Sequence, residues 1–440
     1  MLTITGARSI VVDAATERGG DLVTAGGRIV DRAPGGPGRD AAGPGEVLDA
    51  TGAVVTPGLV NAHHHLLQCG FRTLPGTRGV PMSRWLAVMN AAYRAAVVDP
   101  VLVGTAAATG LAEALLCGVT TVADHHLTWP DGQDPVALAA ATASAARRVG
   151  ARLVFVRGTA GDDPARAAES ATAIVRALGA DGGVTADGML QVAVGPAGVH
   201  SDGQETFDAL AEVARRFGLR RRTQANEQVD VEIAARRYGR RPLDLLAAWG
   251  WLEPGVTIAH LCDVTPDEIA QLGEAGVTAT HAPGCDLPMG WGVAPVARLR
   301  AAGVPVGLGT SGGGSNDAGH LLADARLAMQ VSPLAGPALT AREVLSMATA
   351  GSAAGLGRSE LGHLRPGAAA DLCVWDVDGV ADAGVADPVA GLLWAGPGRR
   401  PRHVVVGGRV VVRDGRRVLA DERELAAALT GRLRAARPSG

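Results

Sequence analysis

The sequence predicts an α/β fold, a (β/α)8 TIM barrel with a small β-sandwich domain built from both termini. Three observations support this prediction. Short apolar runs alternate with helical patterns through the middle of the 440-residue chain, as strands and helices do in a barrel. The two ends of the chain contain only short strand-like runs separated by turns. Most candidate catalytic side chains follow directly on predicted strands, where (β/α)8 barrels carry their chemistry.

The two ends of the chain are predicted to form one β domain. The N-terminal part contains the strand-like runs "LTITGARSIVV", "DLVTAGGRIVDRA" and "VLDATGAVVTPG", with the Gly- and Pro-rich loop "PGGPGRDAAGPGE" between the second and the third. The runs "ADLCVWDV" and "PRHVVVGGRVVVRDG" repeat this pattern near the C-terminus. We therefore assign residues 1–56 and 362–425 to the β-sandwich domain, 57–361 to the barrel and 426–440 to a C-terminal tail.

The middle of the chain contains eight short apolar runs, which we predict to be the barrel strands: 54–63, 119–124, 152–158, 190–196, 219–226, 256–261, 277–283 and 304–311. Helical patterns separate them, for example at 104–118, 135–150, 203–218 and 265–276. Several of these patterns end in Gly, the residue that most often terminates a helix. An open, doubly wound sheet is the alternative fold, but no G-x-G-x-x-G motif follows a predicted strand.

The bulk properties argue against several classes of partner. The formal net charge is -3 and only 3% of residues are aromatic, so we expect no binding of nucleic acid or of a membrane surface. The five cysteines are scattered and never form a C-x-x-C pair, which disfavours a disulfide framework. The N-terminal stretch lacks the pattern of a signal peptide. We expect a cytoplasmic protein whose partner is a small molecule.

The motif "PGLVNAHHHL", residues 57–66, is the first sign of chemistry. His63 and His65 lie two residues apart, so on a strand their side chains share one face and can chelate one divalent ion. His64 points to the other face. The alternative interpretation is three hydrogen-bonded loop histidines without a metal.

This motif and four others resemble the amidohydrolase superfamily. "TPGLVNAHHHLLQ" is similar to the first-strand H-x-H signature of guanine and 8-oxoguanine deaminases and of their triazine-hydrolase relatives. "LAEALLCGVTTVADHH", "TIAHLCDVTPDEIAQL", "APVARLRAAGVPVGLGTSGGGSNDAGHLLADARLAM" and "ATAGSAAGLGRSELGHLRPGAAADLCVWDV" resemble later parts of the same family. The resemblance covers nearly the whole chain and implies the same barrel and terminal β-sandwich.

The resemblance also implies a set of site residues. One Zn or Fe ion is expected on the H-x-H pair, a strand-five His and a strand-eight Asp. Glu227 matches the strand-five proton shuttle, and His260 matches the strand-six His that binds the substrate or the attacking water. A divalent ion lowers the pKa of water, and the carboxylate then moves protons. Family analogy further implies a homo-oligomer.

Two of the expected metal ligands are replaced. In "RTQANEQ", Gln224 stands where the resemblance implies His, and in "SGGGSND", Ser311 stands where it implies Asp. A neutral amide or hydroxyl oxygen is a weaker ligand than imidazole or carboxylate. We therefore expect His63 and His65 to hold a metal weakly, with help from Gln224, Ser311 or a relocated ligand such as His125 or His126, and we also consider a metal-free state.

Further residues are candidates for contact with the substrate: Gln68, Arg222, His200, His281 and Asn316. Arg222 lies two residues before Gln224, so we hypothesise that its guanidinium enters the barrel and either replaces missing metal charge or binds an anionic substrate group. The alternative is that Arg222 extends into solvent. Cys285 is interpreted as a buried thiol without a catalytic role.

Three functions follow from these residues. The first is hydrolysis of a C–N bond on a purine- or triazine-like heterocycle, as in a deaminase or aminohydrolase. The second is a divergent, metal-independent enzyme that uses Glu227, His260 and Arg222 for hydrolysis, isomerisation or elimination. The third is a heterocycle-binding protein without catalysis.

Overall fold

The computed structural model describes residues 1–30 and 45–435. Most of the predicted Gly- and Pro-rich loop, residues 34–44, lies outside the described residues, as do residues 436–440. Five described strands precede the barrel: β1 Leu2–Val11, β2 Glu17–Ala25, β3 Arg28–Val30, β4 Glu46–Asp49 and β5 Val54–Pro57.

The barrel sheet is formed by nine strands of the described chain: β6 Leu59–His65, β7 Val119–His126, β8 Arg152–Thr159, β9 Leu190–Pro196, β10 Arg220–Ala225, β11 Val256–His260, β12 Thr278–His281, β13 Val306–Leu308 and β14 Ser311–Gly312. Parallel neighbours run in order from β13 back to β6, and β14 pairs with the free edge of β6. Because β13 and β14 are two parts of the eighth predicted strand, this last pairing closes the barrel. The predicted barrel fold is confirmed.

The four remaining strands, β15 Leu372–Trp375, β16 His403–Val406, β17 Arg409–Arg413 and β18 Arg416–Arg417, join the N-terminal strands in a second, mixed sheet. Its order is β18-β17-β16-β15-β5-β1-β2-β3, with β4 paired to β1. Side chains from both ends of the chain, among them Ile4, Ile10, Leu372 and Val405, form a core of their own on this sheet. The terminal domain is therefore built from both termini, as predicted.

The chain changes from the terminal sheet to the barrel at Gly58. The single predicted strand 54–63 is divided here, because β5 belongs to one sheet and β6 to the other. A Cβ atom on Gly58 would lie 2.3 Å from Oγ1 of Thr120 at the start of β7. Only glycine lets the chain pass this close to its neighbouring strand.

The helices of the described chain are α1 Met82–Ala96, α2 Pro100–Leu116, α3 Pro135–Val149, α4 Pro164–Ala177, α5 Gln204–Phe217, α6 Gln228–Tyr238, α7 Pro242–Ala248, α8 Pro266–Ala275, α9 Pro283–Asp286, α10 Val296–Ala301, α11 Leu321–Val331, α12 Ala341–Ser346, α13 Ser352–Leu356, α14 Pro388–Trp394 and α15 Glu422–Ala435. Short 3₁₀ turns cover Leu66–Gly70, Ser332–Leu334 and Val380–Asp382, and a π-helical turn covers Met347–Gly351. Within the described residues no single helix suffices by length and apolarity to cross a membrane, although the bent pair α1 and α2 passes that test together.

The segment predicted as a C-terminal tail contains most of a helix. In α15, Leu425 and Leu429 lie one helical turn apart and are both buried. Arg432 reaches Asp99, at the start of α2, with an Nη2 to Oδ2 distance of 3.1 Å. The buried leucine stripe gives this segment a packing partner, which is why it is helical rather than a free tail.

A buried ion pair connects the barrel to the terminal sheet. Arg152, the first residue of β8, donates from Nε and Nη2 to the two carboxylate oxygens of Asp371 at 2.7 and 3.0 Å. The exposed fractions of the two residues are only 5% and 4%. We expect Asp371→Asn to lower the free energy of unfolding by about 3–5 kcal/mol, because it leaves a buried guanidinium without its counter-charge.

Urea unfolding would measure this effect. The matched control is Asp376→Asn, since Asp376 lies half in solvent, 3.1 Å from Arg402. Exposed pairs contribute about 0–1 kcal/mol, so the control is expected to change stability little. Equal small losses in both variants would show that the buried pair does not hold the two sheets together.

Candidate active site

The C-terminal ends of the barrel strands open into a cavity of about 630 Å³. The predicted site residues that line it are His65, Gln68, His200, Gln224, Glu227 and Ser311, together with His125, His126 and Cys285. His63, Arg222, His260, His281 and Asn316 do not line it. The cavity therefore collects polar groups from strands that are far apart in the sequence.

His63 and His65 stand side by side at the end of β6, with ring centroids 4.9 Å apart. His65 donates from Nδ1 to the backbone carbonyl of His125 at 2.7 Å, so its Nε2 carries a free lone pair. His63 is 2% exposed, and its Nε2 has no hydrogen-bond partner among the described residues. The middle histidine, His64, turns away and bonds to the backbone carbonyl of Ser311, as strand alternation predicts.

These two imidazoles have the properties of metal ligands. Burial, reinforced by neighbouring histidines, lowers the pKa of His65 to about 3 and that of His63 well below its usual range. Both rings are therefore neutral at physiological pH, the state that binds a divalent ion. The buried Nε2 of His63 without a partner and the free lone pair on Nε2 of His65 lie side by side, so the two residues fit a divalent metal ion.

A chain of hydrogen bonds crosses the site next to the histidine pair. His260, at the end of β11, has its ring centroid 5.2 Å from that of His63. Its Nδ1 contacts Oδ1 of Asp286 at 2.6 Å, and its Nε2 contacts Oε1 of Gln224 at 3.1 Å. Although burial opposes it, the Asp286 carboxylate raises the pKa of His260 above its ordinary value.

Glu227 is one of three carboxyl residues that line the cavity, with Asp124 and Asp131. It occupies the residue before α6, is 1% exposed, and neither of its carboxylate oxygens has a hydrogen-bond partner among the described residues. Burial raises the pKa of Glu227 to about 7, against the attraction of His260, whose Nε2 lies 3.5 Å from its Oε1. A carboxyl group with a pKa near neutrality and two free oxygens can both accept and return a proton.

Two acidic residues of this region were not predicted. Asp286 ends the short helix α9 and faces His281 as well as His260, with 3.5 Å between its Oδ2 and Nδ1 of His281. Asp230 is buried in the first turn of α6, and burial followed by the charge of Glu227 raises its pKa well above the usual range. In the sequence, Asp286 is visible only as the last residue of "HAPGCD", which gives no periodic signal.

Gln68 and Ser311 shape the wall next to the metal-binding pair. Oε1 of Gln68 accepts a hydrogen bond from the backbone N–H of Gly314 at 3.1 Å, so this amide is partly occupied by the strand-eight loop. Ser311 has a φ of 54° and is the first residue of β14, where it pairs with His64 of β6. Its hydroxyl lies at the cavity wall where the family resemblance implies a carboxylate.

Arg222 does not reach the cavity, contrary to the hypothesis that it binds the substrate. It is buried in the barrel interior and donates to the backbone carbonyls of Ala62 and Gly355, the latter at 3.3 Å. Burial lowers the pKa of Arg222 to about 9. Asn316 is likewise structural in its contacts, because its amide donates to the Thr310 carbonyl at 3.0 Å and to Asp324.

Apolar side chains make up much of the outer wall of the cavity, next to the polar residues Asn90, Arg94, Asp131 and Gln133. The apolar part is formed mainly by α1 and by side chains from facing loops: Met82, Trp85, Leu86, Met89, Met289, Trp291 and Trp129. Helix α1 lies between the first and second barrel units and was not predicted from the sequence. The cavity thus has a polar floor and a mainly apolar entrance.

Glycine is required where strand eight passes the histidine pair. A Cβ atom on Gly309 would lie 2.7 Å from Cβ of His63 and 2.8 Å from its carbonyl oxygen. We expect Gly309→Ala to cost about 1–3 kcal/mol of stability through overpacking and to move His63. Thermal unfolding together with elemental analysis would show both effects. Gly398→Ala is the control because its Cβ meets no atom within 4 Å, and a Gly309 variant as stable and metal-rich as this control would contradict the prediction.

The fold and this arrangement define a hydrolase built on a (β/α)8 barrel, and the comparisons with known proteins agree. Residues 54–411 match the amidohydrolase family. The chain is 36% identical to the 8-oxoguanine deaminase of Pseudomonas aeruginosa, over 90% of each protein. It is 32% identical to an isoxanthopterin deaminase from an unknown prokaryotic organism, over 93% of this chain and 91% of that protein. The chain belongs to the amidohydrolase family.

Solved structures lead to the same branch. The zinc complex of the atrazine chlorohydrolase TrzN from Arthrobacter aurescens TC1 superposes with a TM-score of 0.90 and is 34% identical, over 98% of this chain and 100% of that chain. The resemblance to the guanine deaminase and triazine-hydrolase branch is therefore confirmed, and the chain is a hydrolase.

Proposed function

We propose that this protein hydrolyses an exocyclic C–N bond of a purine- or triazine-like heterocycle and releases ammonia. The observation that carries the proposal is Glu227, a buried carboxyl group with two unpartnered oxygens and a pKa of about 7 at the floor of the cavity. The deaminase activities named for two similar proteins support the same reaction.

The residues divide the chemistry between them. Water attacks the sp² ring carbon that carries the amino group, and the Glu227 carboxylate accepts one proton from it. The protonated Glu227 then gives this proton to the exocyclic nitrogen. The second proton of the water moves to the adjacent ring nitrogen, the C–N bond breaks, ammonia leaves, and the ring keeps the oxygen as a carbonyl. Asp286 fixes the orientation of His260, whose Nε2 faces Glu227 and Gln224 and stabilises negative charge in the transition state.

One divalent ion, zinc or iron, would be held by His63 and His65. Gln224 Oε1 is the neutral donor that would join them, in place of the missing carboxylate at Ser311, while His260 directs its Nε2 at Gln224 Oε1 and is not counted as a ligand. When bound, the ion supplies a positive charge that lowers the pKa of water toward neutrality. The zinc complex of the similar atrazine chlorohydrolase supports this assignment.

The lining of the cavity indicates which kind of substituent the heterocyclic ring of the substrate carries. The polar floor suits a flat heterocycle, and the apolar wall from α1 suits a hydrophobic substituent on that ring. We therefore propose a substituted amino-heterocycle rather than a bare base as the substrate.

Ammonia release from a panel of aminopurines and amino-triazines, with and without N-alkyl groups, tests the proposal. The same preparation is examined for metal before and after treatment with a chelator. We expect turnover of at least one amino-heterocycle, lost on chelation and restored by zinc or iron. Absence of ammonia from all of them, with tight binding of several, would instead support a binding protein without catalysis.

The metal-independent enzyme is the second candidate, and the replacement of two expected ligands by Gln224 and Ser311 favours it. Turnover that is indifferent to chelation would support it. In that enzyme Arg222 would not contact the substrate, because it does not line the cavity and its guanidinium donates to backbone carbonyls of the barrel.

A further inference from the structure

A second large cavity lies at the opposite end of the barrel from the active site. Its volume is about 820 Å³. Residues just before and at the start of β8 and β9 form one wall, and the β2–β3 turn with the β16–β17 region forms the other. The cavity therefore lies between the barrel and the terminal sheet, and none of its lining residues belongs to the site described above.

Arginine dominates the charge of this cavity. The charged side chains that line it are Arg28, Arg147, Arg152, Arg358, Arg409, Asp187 and Glu360. Two of the arginines form a fixed floor, because Arg152 and Arg358 both donate to the backbone carbonyl of Gly188, at 3.0 and 2.8 Å. Their charges are balanced by Asp371 and Glu360 respectively.

The other three arginines form no ion pair within the described residues, although Arg147 lies near enough to Asp187 to attract its carboxylate. Arg28 donates to the backbone carbonyl of Gly367 at 2.7 Å and has no carboxylate within ion-pair distance in the described part of the chain. Arg147 and Arg409 are exposed, and their side chains make no hydrogen bond or ion pair within residues 1–30 and 45–435. Asp187 is the remaining acidic side chain of the lining, and its Oδ1 already accepts hydrogen bonds from the Thr185 hydroxyl and the Met189 N–H. The lining thus keeps a surplus of positive charge.

We propose that this cavity binds a small polyanion of the pyrophosphate type, such as the phosphate end of a nucleotide. The three guanidinium groups without an ion pair among the described residues come from β3, α3 and β17, so they converge on the cavity from separate elements. A guanidinium fork matches two phosphate oxygens, and more than one anionic group is needed to engage all three forks. A nucleic acid is disfavoured, because the site is a concave cleft with acidic neighbours on a chain of net charge -3.

Isothermal titration with inorganic pyrophosphate at constant ionic strength tests the proposal on the full-length metal-loaded protein. The test variant is Arg147→Gln/Arg409→Gln, which removes two unpaired exposed charges. The matched control is Arg148→Gln/Arg416→Gln, because these exposed arginines are neighbours on α3 and in the β17–β18 hairpin but do not line the cavity. Both variants change the net charge equally. Any chelation of active-site metal by pyrophosphate would be the same in the test variant and in the control.

We expect one pyrophosphate to bind per chain in the unmodified protein and in the control, and binding at least about tenfold weaker in the test variant. Unfolding temperatures without ligand are expected to agree among the three proteins, since all four substituted side chains are exposed and form no ion pair with the described part of the chain. Equal affinity in test and control variants would overturn the proposal, as would the absence of binding in the unmodified protein.

Discussion

Replacement of Glu227 by Gln is expected to lower the turnover number by about 10²–10⁴-fold while leaving substrate binding within a few fold. The amide has nearly the shape of the carboxyl group, but it cannot accept a proton from water at neutral pH. Since both carboxylate oxygens of Glu227 lack a partner among the described residues, the substitution breaks no hydrogen bond that holds the fold. Steady-state ammonia release and equilibrium binding of the same substrate measure the two effects separately.

The control for this experiment is Glu232→Gln, on the exposed face of the same helix, which is expected to change neither quantity. A Glu227→Gln enzyme with unchanged turnover would remove the proton shuttle from the mechanism. A variant that loses binding and turnover together would assign Glu227 to substrate recognition instead. The unfolding temperature of the variant is expected to be unchanged or higher, because a desolvated carboxyl group is replaced by a neutral one.

The barrel could be predicted from the sequence because its strands are short apolar runs with polar residues at their C-terminal ends. The alternation in "VNAHHH" separated His63 and His65 from His64, and the structure confirms that separation. Glu227 and His260 were assigned from the family resemblance, which matches residues directly after one predicted strand and near the end of another. The face of His63 and His65 follows from local periodicity, whereas the roles of Glu227 and His260 follow from motifs.

The remaining site residues depend on tertiary contacts, which a sequence does not display. Asp286 comes from a four-residue helix after strand seven, yet it makes the 2.6 Å contact that holds His260. Arg222 follows the same alternation as Gln224, but it lies deeper in the barrel and its long side chain ends on the Ala62 carbonyl. Asn316 matches the family motif at a position where its amide ties the strand-eight loop to Asp324. Periodicity selects a face of a strand, whereas depth in the barrel and loop geometry decide what that face contacts.

Replacement of His63 by Ala is expected to lower the affinity for the metal by at least about 100-fold, because removing even an outer partner of a ligand costs 10–100-fold. Ammonia release is expected to fall by roughly a thousandfold or more, since the metal contributes several kcal/mol to the stabilisation of the transition state. Elemental analysis of the purified variant and ammonia release measure these two quantities. The control is His363→Ala, a half-exposed histidine in the turn before β15.

The outcome of this substitution also separates the two candidate mechanisms. His63 is a buried imidazole whose Nε2 finds no protein partner, so in a metal-independent enzyme its removal would relieve an unsatisfied polar group and leave turnover nearly intact. In a metal-dependent enzyme the same substitution removes a ligand from a set that has already exchanged a carboxylate for Ser311. The remaining ligands are then expected to bind the metal too weakly, and excess zinc is expected to restore only a small part of the activity. Full activity of a metal-free His63→Ala protein would therefore exclude the metal-dependent reaction and leave Glu227 with His260 as the catalytic pair.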